Sequence, residues 1–145
     1  MNKISSTIKK LDEARFGSRD LDADVYEALG YEVKREAVSV PGFYRKSTRA
    51  WAYKNGSRWY SMQRLTDSIE DALSIFKREL PGYSRLMWDH PEECHVETFK
   101  LGPLERMQDG RMTRNRFDLV SVEQAPSLAI ALCIALLRTK EAQYV

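Results

Sequence analysis

Apolar residues recur at Ile4, Ile8 and Leu11, with Lys9, Lys10, Asp12 and Glu13 on the intervening faces. That period predicts a surface helix ending near Phe16-Gly17. Ser18 is placed to cap a second helix, Asp20 and Asp22 suit its positive end, and Leu21, Val25, Ala28 and Leu29 form its apolar stripe up to Gly30. From Tyr31 the pattern turns to β formers at Tyr31, Val33 and Val38 to Val40, broken by Pro41-Gly42. Two aromatic runs between Arg49 and Tyr60 flank Asn55-Gly56, the pair that best tolerates a tight type I′ turn, so a hairpin is expected there. Thr66 or Asp67 then caps a helix with an inward face of Ile69, Ala72, Leu73, Phe76 and Leu80, stopped by Pro81-Gly82. Tyr83 to Asp89, Cys94 to Leu101 and Phe117 to Val122 read as strands, with 102–116 as a long mobile connection. Leu128 to Leu137 is apolar on almost every face, which predicts a buried helix with Pro126 in its first turn. The expected architecture is α+β: one domain, 1–145, with a mainly antiparallel sheet of four or five strands covered by helices on both faces.

Three segments carry a resemblance. Ser18 to Tyr31 (SRDLDADVYEALGY), Leu65 to Leu73 (LTDSIEDAL) and Ala125 to Lys140 (APSLAIALCIALLRTK) together resemble the phage ABA sandwich domain, found in small accessory proteins of tailed phages and prophages. The third segment is the most specific. The chain departs from the family pattern at Leu65, where Tyr is usual, at Glu70-Asp71, where Asp-Ala is usual, and at Ala125, where a capping Thr is usual. The resemblance implies a three-layer α/β/α sandwich over most of the chain and assigns no catalytic residue. Leu21, Ala72, Leu73, Leu132 and Cys133 in these segments are also what helix faces packed on a sheet require.

Composition narrows the function classes. With 43% apolar and 30% charged residues, a chain of 145 has enough apolar content for one ordinary core without disulfide, metal or cofactor. Two cysteines, Cys94 and Cys133, are too few for a disulfide scaffold, and the start MNKISSTIKKLDEARF lacks the apolar stretch of a signal peptide. A cytoplasmic location, in an infected or lysogenic bacterial host, is therefore expected. The longest apolar run is about half of the ~20 residues that span a bilayer, so no membrane association is expected.

Charge is uneven. Tyr31 to Arg64 holds eight Lys and Arg against two Glu, a net of +6 in a chain whose total is +2. Arg45, Lys46, Arg49, Trp51, Tyr53, Lys54, Arg58, Trp59 and Tyr60 are the candidate binding residues, since cations can hold phosphates and rings can stack on bases. The same pattern suits a sheet with one face in the core and a basic face in water. Asp89, His90, Glu92, Glu93, Cys94 and His95 contain zinc-ligand chemistry at no standard spacing, so neither a metal nor a Cys–His nucleophile is expected. Acidic residues Asp12, Glu13, Asp20, Asp22, Asp24 and Glu27 suggest either a solvated face or a nucleic-acid decoy. Nucleotide-binding, metalloprotease and hydrolase motifs are missing. The leading expectation is a non-enzymatic phage or prophage accessory protein without cofactor that binds a host or phage protein, a host factor or defence component. The alternative is a nucleic-acid or phosphorylated-ligand binder.

Overall fold

The computed structural model describes residues 3–35, 38–39, 46–47, 51–89 and 93–143. The fold is α+β. Its elements run α1 (Lys3–Glu13), α2 (Arg19–Ala28), β1 (Glu32–Arg35), β2 (Val38–Ser39), β3 (Lys46–Ser47), β4 (Trp51–Asn55), β5 (Arg58–Ser61), α3 (Ile69–Glu79), β6 (Tyr83–Trp88), β7 (Cys94–Arg106), β8 (Met112–Ala125) and α4 (Leu128–Gln143).

Every residue of α4 from Leu128 to Leu137 is buried, as its unbroken apolar run requires. The helix is capped by Ser127, whose Oγ accepts from the Ile130 amide at 3.1 Å, so Pro126 lies just outside rather than in the first turn. Around α4 pack α1, α3, β7 and β8. Burial on α1 follows the predicted stripe, with Ile4, Ile8 and Leu11 inside. On α3 Ala72, Ile75 and Phe76 are buried whereas Ile69, the first helical residue, is 41% exposed, and the N-cap is Ser68, whose Oγ accepts from the Asp71 amide, rather than Thr66 or Asp67.

Thr66 has another task. Its amide and hydroxyl both donate to Asp22 Oδ1, at 2.8 and 2.6 Å, while Arg19 reaches Asp22 Oδ2, Gln63 O and Met62 O. Burial pushes the Asp22 carboxyl above its ordinary value, with the Thr66 and Arg19 interactions opposing that shift. These contacts lock the start of α2 to the loop before α3. Gly17 lies so close to this loop that a Cβ there would stand 2.3 Å from the Thr66 carbonyl oxygen.

Strand pairing differs from the expected single sheet. Among the described residues the strands form an antiparallel sheet β1-β4-β5, a ribbon β2-β3 and an antiparallel sheet β6-β7-β8. The β4–β5 turn is centred on Gly56-Ser57, since Asn55 pairs with Arg58, and Gly56 has φ +65°. That is one residue beyond the predicted centre.

Residues 102–116 are not a mobile connection. Strands β7 and β8 continue through them as a two-stranded ribbon, paired out to Arg106 and Met112 and closed by a turn in which the Gly110 amide donates to Met107 O. The expected helical cover on both faces is also not found among the described residues. One face of β6-β7-β8 packs on α4, while the other exposes Trp88, Leu119 and Val122.

Candidate functional site

The basic aromatic hairpin is divided by strand alternation. Val33, Tyr53 and Tyr60 form one cross-strand row, and Glu32, Lys54 and Trp59 form the next, so the two rows face opposite sides of the sheet. Tyr53 is buried, stacked on Tyr26, and its hydroxyl accepts from Arg78 Nη1 at 3.2 Å. Tyr31 meets both rings edge-on and donates to the Glu79 carboxylate, and burial together with that bond pushes its pKa up to about 12. Tyr60 stacks on the outer side of Tyr53, with centroids 5.7 Å apart, and Trp51 packs half-buried against the core. These rings anchor the sheet to α2.

Trp59 looks the other way. Lys34 Nζ lies 4.2 Å from its ring centroid and Lys54 Nζ 5.9 Å, giving two ammonium groups around one exposed indole. Arg58 is exposed beside the turn. Of the nine candidates, Lys54 and Trp59 are therefore brought together on one face, joined by Lys34 from β1, which the candidate set lacked. Its place one strand away was readable from the alternation of β1 once the pairing with β4 was known. Arg45 and Arg49 lie outside the described residues, and of Lys46 only its place in β3 is described.

The acidic residues are largely paired. Asp24 and Glu27 accept from Arg35 at 2.7 and 2.9 Å, with Lys10 and Lys3 adding further contacts. Burial alone would raise both carboxyls, but these cations outweigh it and hold them below their ordinary values. Asp22 is committed to Thr66 and Arg19. Asp12 and Asp20 stand 3.9 Å from Arg138 and Arg35, so five of the six residues of the proposed decoy face are paired within the protein.

In the segment from Asp89 to His95, residues His90 and Glu92 lie outside the described residues. Cys94 and His95 point to opposite faces of β7. Cys94 Sγ approaches Asp89 Oδ1 at 3.4 Å beside a cavity of about 320 Å³ bordered by Phe16, Ile69 and Leu128. His95 packs edge-on against Trp88 and lies 3.3 Å from Glu97 Oε1. Among the described residues no three His, Cys, Asp or Glu side chains converge as a ligand set.

A second surface escaped the sequence reading. On the face of β6-β7-β8 away from α4, the register aligns Trp88 with His95 and Gln124, Leu86 with Glu97 and Val122, and Ser84 with Phe99 and Leu119. Trp88, Leu119 and Val122 are 48%, 53% and 45% exposed. The signal was present in β6 and β8, where Leu86-Met87-Trp88 and Leu119-Val120 are apolar at consecutive positions and so on both faces. Such runs are ordinarily read as strands buried on both sides. No family model, curated protein or solved structure matches the chain.

Proposed function

We propose that this chain is a small non-enzymatic accessory protein of phage or prophage type that acts by binding a host or phage protein, with a host factor or defence component as the partner class. The observation that carries the reading is the bare face of β6-β7-β8, where Trp88, Leu119 and Val122 stand exposed around Leu86 and Phe99. His95 and Glu97 of the central strand lie between these apolar residues, with Gln124 at the edge, and a face that mixes exposed apolar and polar groups in this way is a usual form of a protein contact surface. The resemblance in the three segments points to the phage setting.

The experiment compares capture of the partner by wild type, Leu119→Lys with Val122→Lys, and Trp59→Ala. The reading expects the double variant to fold and lose a partner that wild type and Trp59→Ala both retain. Equal capture by all three removes this face as the contact surface.

A second reading is favoured by Lys34 and Lys54 around Trp59, which suit a nucleotide or single-stranded nucleic acid held by stacking and phosphate contacts. It expects a low-salt mobility shift that weakens with added salt and is lost in Trp59→Ala. No shift at low salt eliminates it.

A further inference from the structure

Three orphaned polar atoms lie in one row on the core-facing side of β6-β7-β8. The register sets Arg85 opposite Thr98, and Thr98 opposite Ser121. Arg85 Nε, Thr98 Oγ1 and Ser121 Oγ are all shielded from solvent, and none has a hydrogen-bond partner among the described residues. Along β6, Arg85 stands between Tyr83 and Met87, which both pack against the core, and its guanidinium is 5.6 Å from the Phe76 ring centroid on α3. Thr98 is completely buried.

Beyond the Phe76 ring beneath the guanidinium, nothing among the described residues meets these three atoms. The Arg85 guanidinium is charged at every accessible pH, and its Nε is shielded from water with no acceptor or counter-charge among the described residues beside it. Burial lowers the pKa of Arg85, and no carboxylate among the described residues opposes that shift. Glu123, two residues beyond Ser121 on the same face, is held by Arg138 at 3.1 Å. Unsatisfied buried hydroxyls are rare in native proteins, and here two of them flank each other next to an unneutralised cation. All three groups can donate hydrogen bonds, so the ligand that satisfies them is an acceptor with negative charge.

We propose that Arg85, Thr98 and Ser121 form a binding site for a small oxyanion, a carboxylate or phosphate group. Strand β6 is an edge of its sheet and Arg85 is only half-buried, which makes that edge the way in. Directly opposed residues in a sheet lie about 5 Å apart, so one oxyanion bridges Arg85 and Thr98. Ser121 takes a second polar group of the same molecule.

The test follows thermal unfolding of the full chain in sodium phosphate, sodium acetate and sodium chloride at equal ionic strength, for wild type, Arg85→Met and Thr98→Val. In wild type the favoured oxyanion raises the midpoint over chloride in a saturable way, by about 3 to 6 °C at ten times its dissociation constant. A rise in phosphate alone assigns the phosphate class, and a rise in acetate alone the carboxylate class. Arg85→Met abolishes the rise. If Arg85→Met fails to fold, Thr98→Val, nearly isosteric, decides by weakening the rise. The proposal is overturned if neither oxyanion raises the wild-type midpoint, or if a folded Arg85→Met keeps the full rise.

Discussion

Tyr53 lies parallel on Tyr26, with ring centroids 4.4 Å apart and planes inclined by 17°. The pair joins β4 to α2, and the Tyr26 hydroxyl accepts from the Gln63 amide at 3.3 Å, so one stack ties the hairpin, a helix and the following loop together. Tyr53→Ala is therefore expected to cost about 3 to 5 kcal/mol by urea titration. Tyr60→Ala, at a ring 45% exposed, should cost less than about 1 kcal/mol. Comparable losses at the two positions would contradict the division of the rings between core and surface.

Gly17→Ala should destabilise by about 2 kcal/mol or more, since the added methyl meets the Thr66 backbone at 2.3 Å and backbone held by Asp22 cannot swing aside. Gly82→Ala provides the comparison, because a Cβ there meets nothing within 4 Å. Chemical denaturation of the two variants side by side checks this, and equal midpoints would show that the 62–68 loop is free to shift.

Arg35→Met should lower stability by about 1 to 2 kcal/mol at pH 7, because Lys3 and Lys10 still compensate Asp24 and Glu27 in part. Both carboxyls have lower pKa values folded than unfolded, so their pairing contributes fully above about pH 5 and is lost as pH falls through the folded values. Asp22 has the opposite sign. Its raised carboxyl favours the folded state while protonated, and that advantage fades as pH rises from the ordinary to the raised value. Urea midpoints at pH 7, 5 and 3 should show the gap between wild type and Arg35→Met closing toward pH 3. A gap independent of pH would mean that Arg35 acts through packing of its stem.

Leu132→Ala, at a side chain 1% exposed in the middle of α4, should cost about 2 to 5 kcal/mol. Leu119→Ala on the bare sheet face should be close to neutral in the isolated protein. Paired unfolding curves distinguish them.

Helices were legible where one face had a single duty. Ile4, Ile8 and Leu11 repeat because one stripe of α1 meets α4, and Leu128 to Leu137 lacks a polar stripe because α4 is surrounded. The start of α3 was misplaced because Thr66 looks like a cap by type, yet its hydroxyl serves Asp22, 44 residues earlier, a contact that local pattern does not encode. The ribbon over 102–116 was hidden for a different reason. Beyond β6 the described side chains from Glu105 to Met112 are all exposed, so no buried face enforces alternation there, and Arg106, Met107, Arg111 and Met112 read as loop. The binding candidates were half legible: residue types marked the hairpin, but only the cross-strand register separated Trp59 from Tyr53 and brought Lys34 to its side.

The central place of α4 bears on how the chain is made. It supplies the surface against which α1, α3, β7 and β8 are packed, yet it is synthesised after all of them. On the ribosome, the apolar stripes of Ile4-Ile8-Leu11 and Ala72-Ile75-Phe76 emerge without that partner and stay open to water or to chaperones until residues 128–137 follow. Closure of the core thus waits until α4 has emerged, and a ribosome stalled before Leu128 leaves a nascent chain that can form helices but cannot close its core.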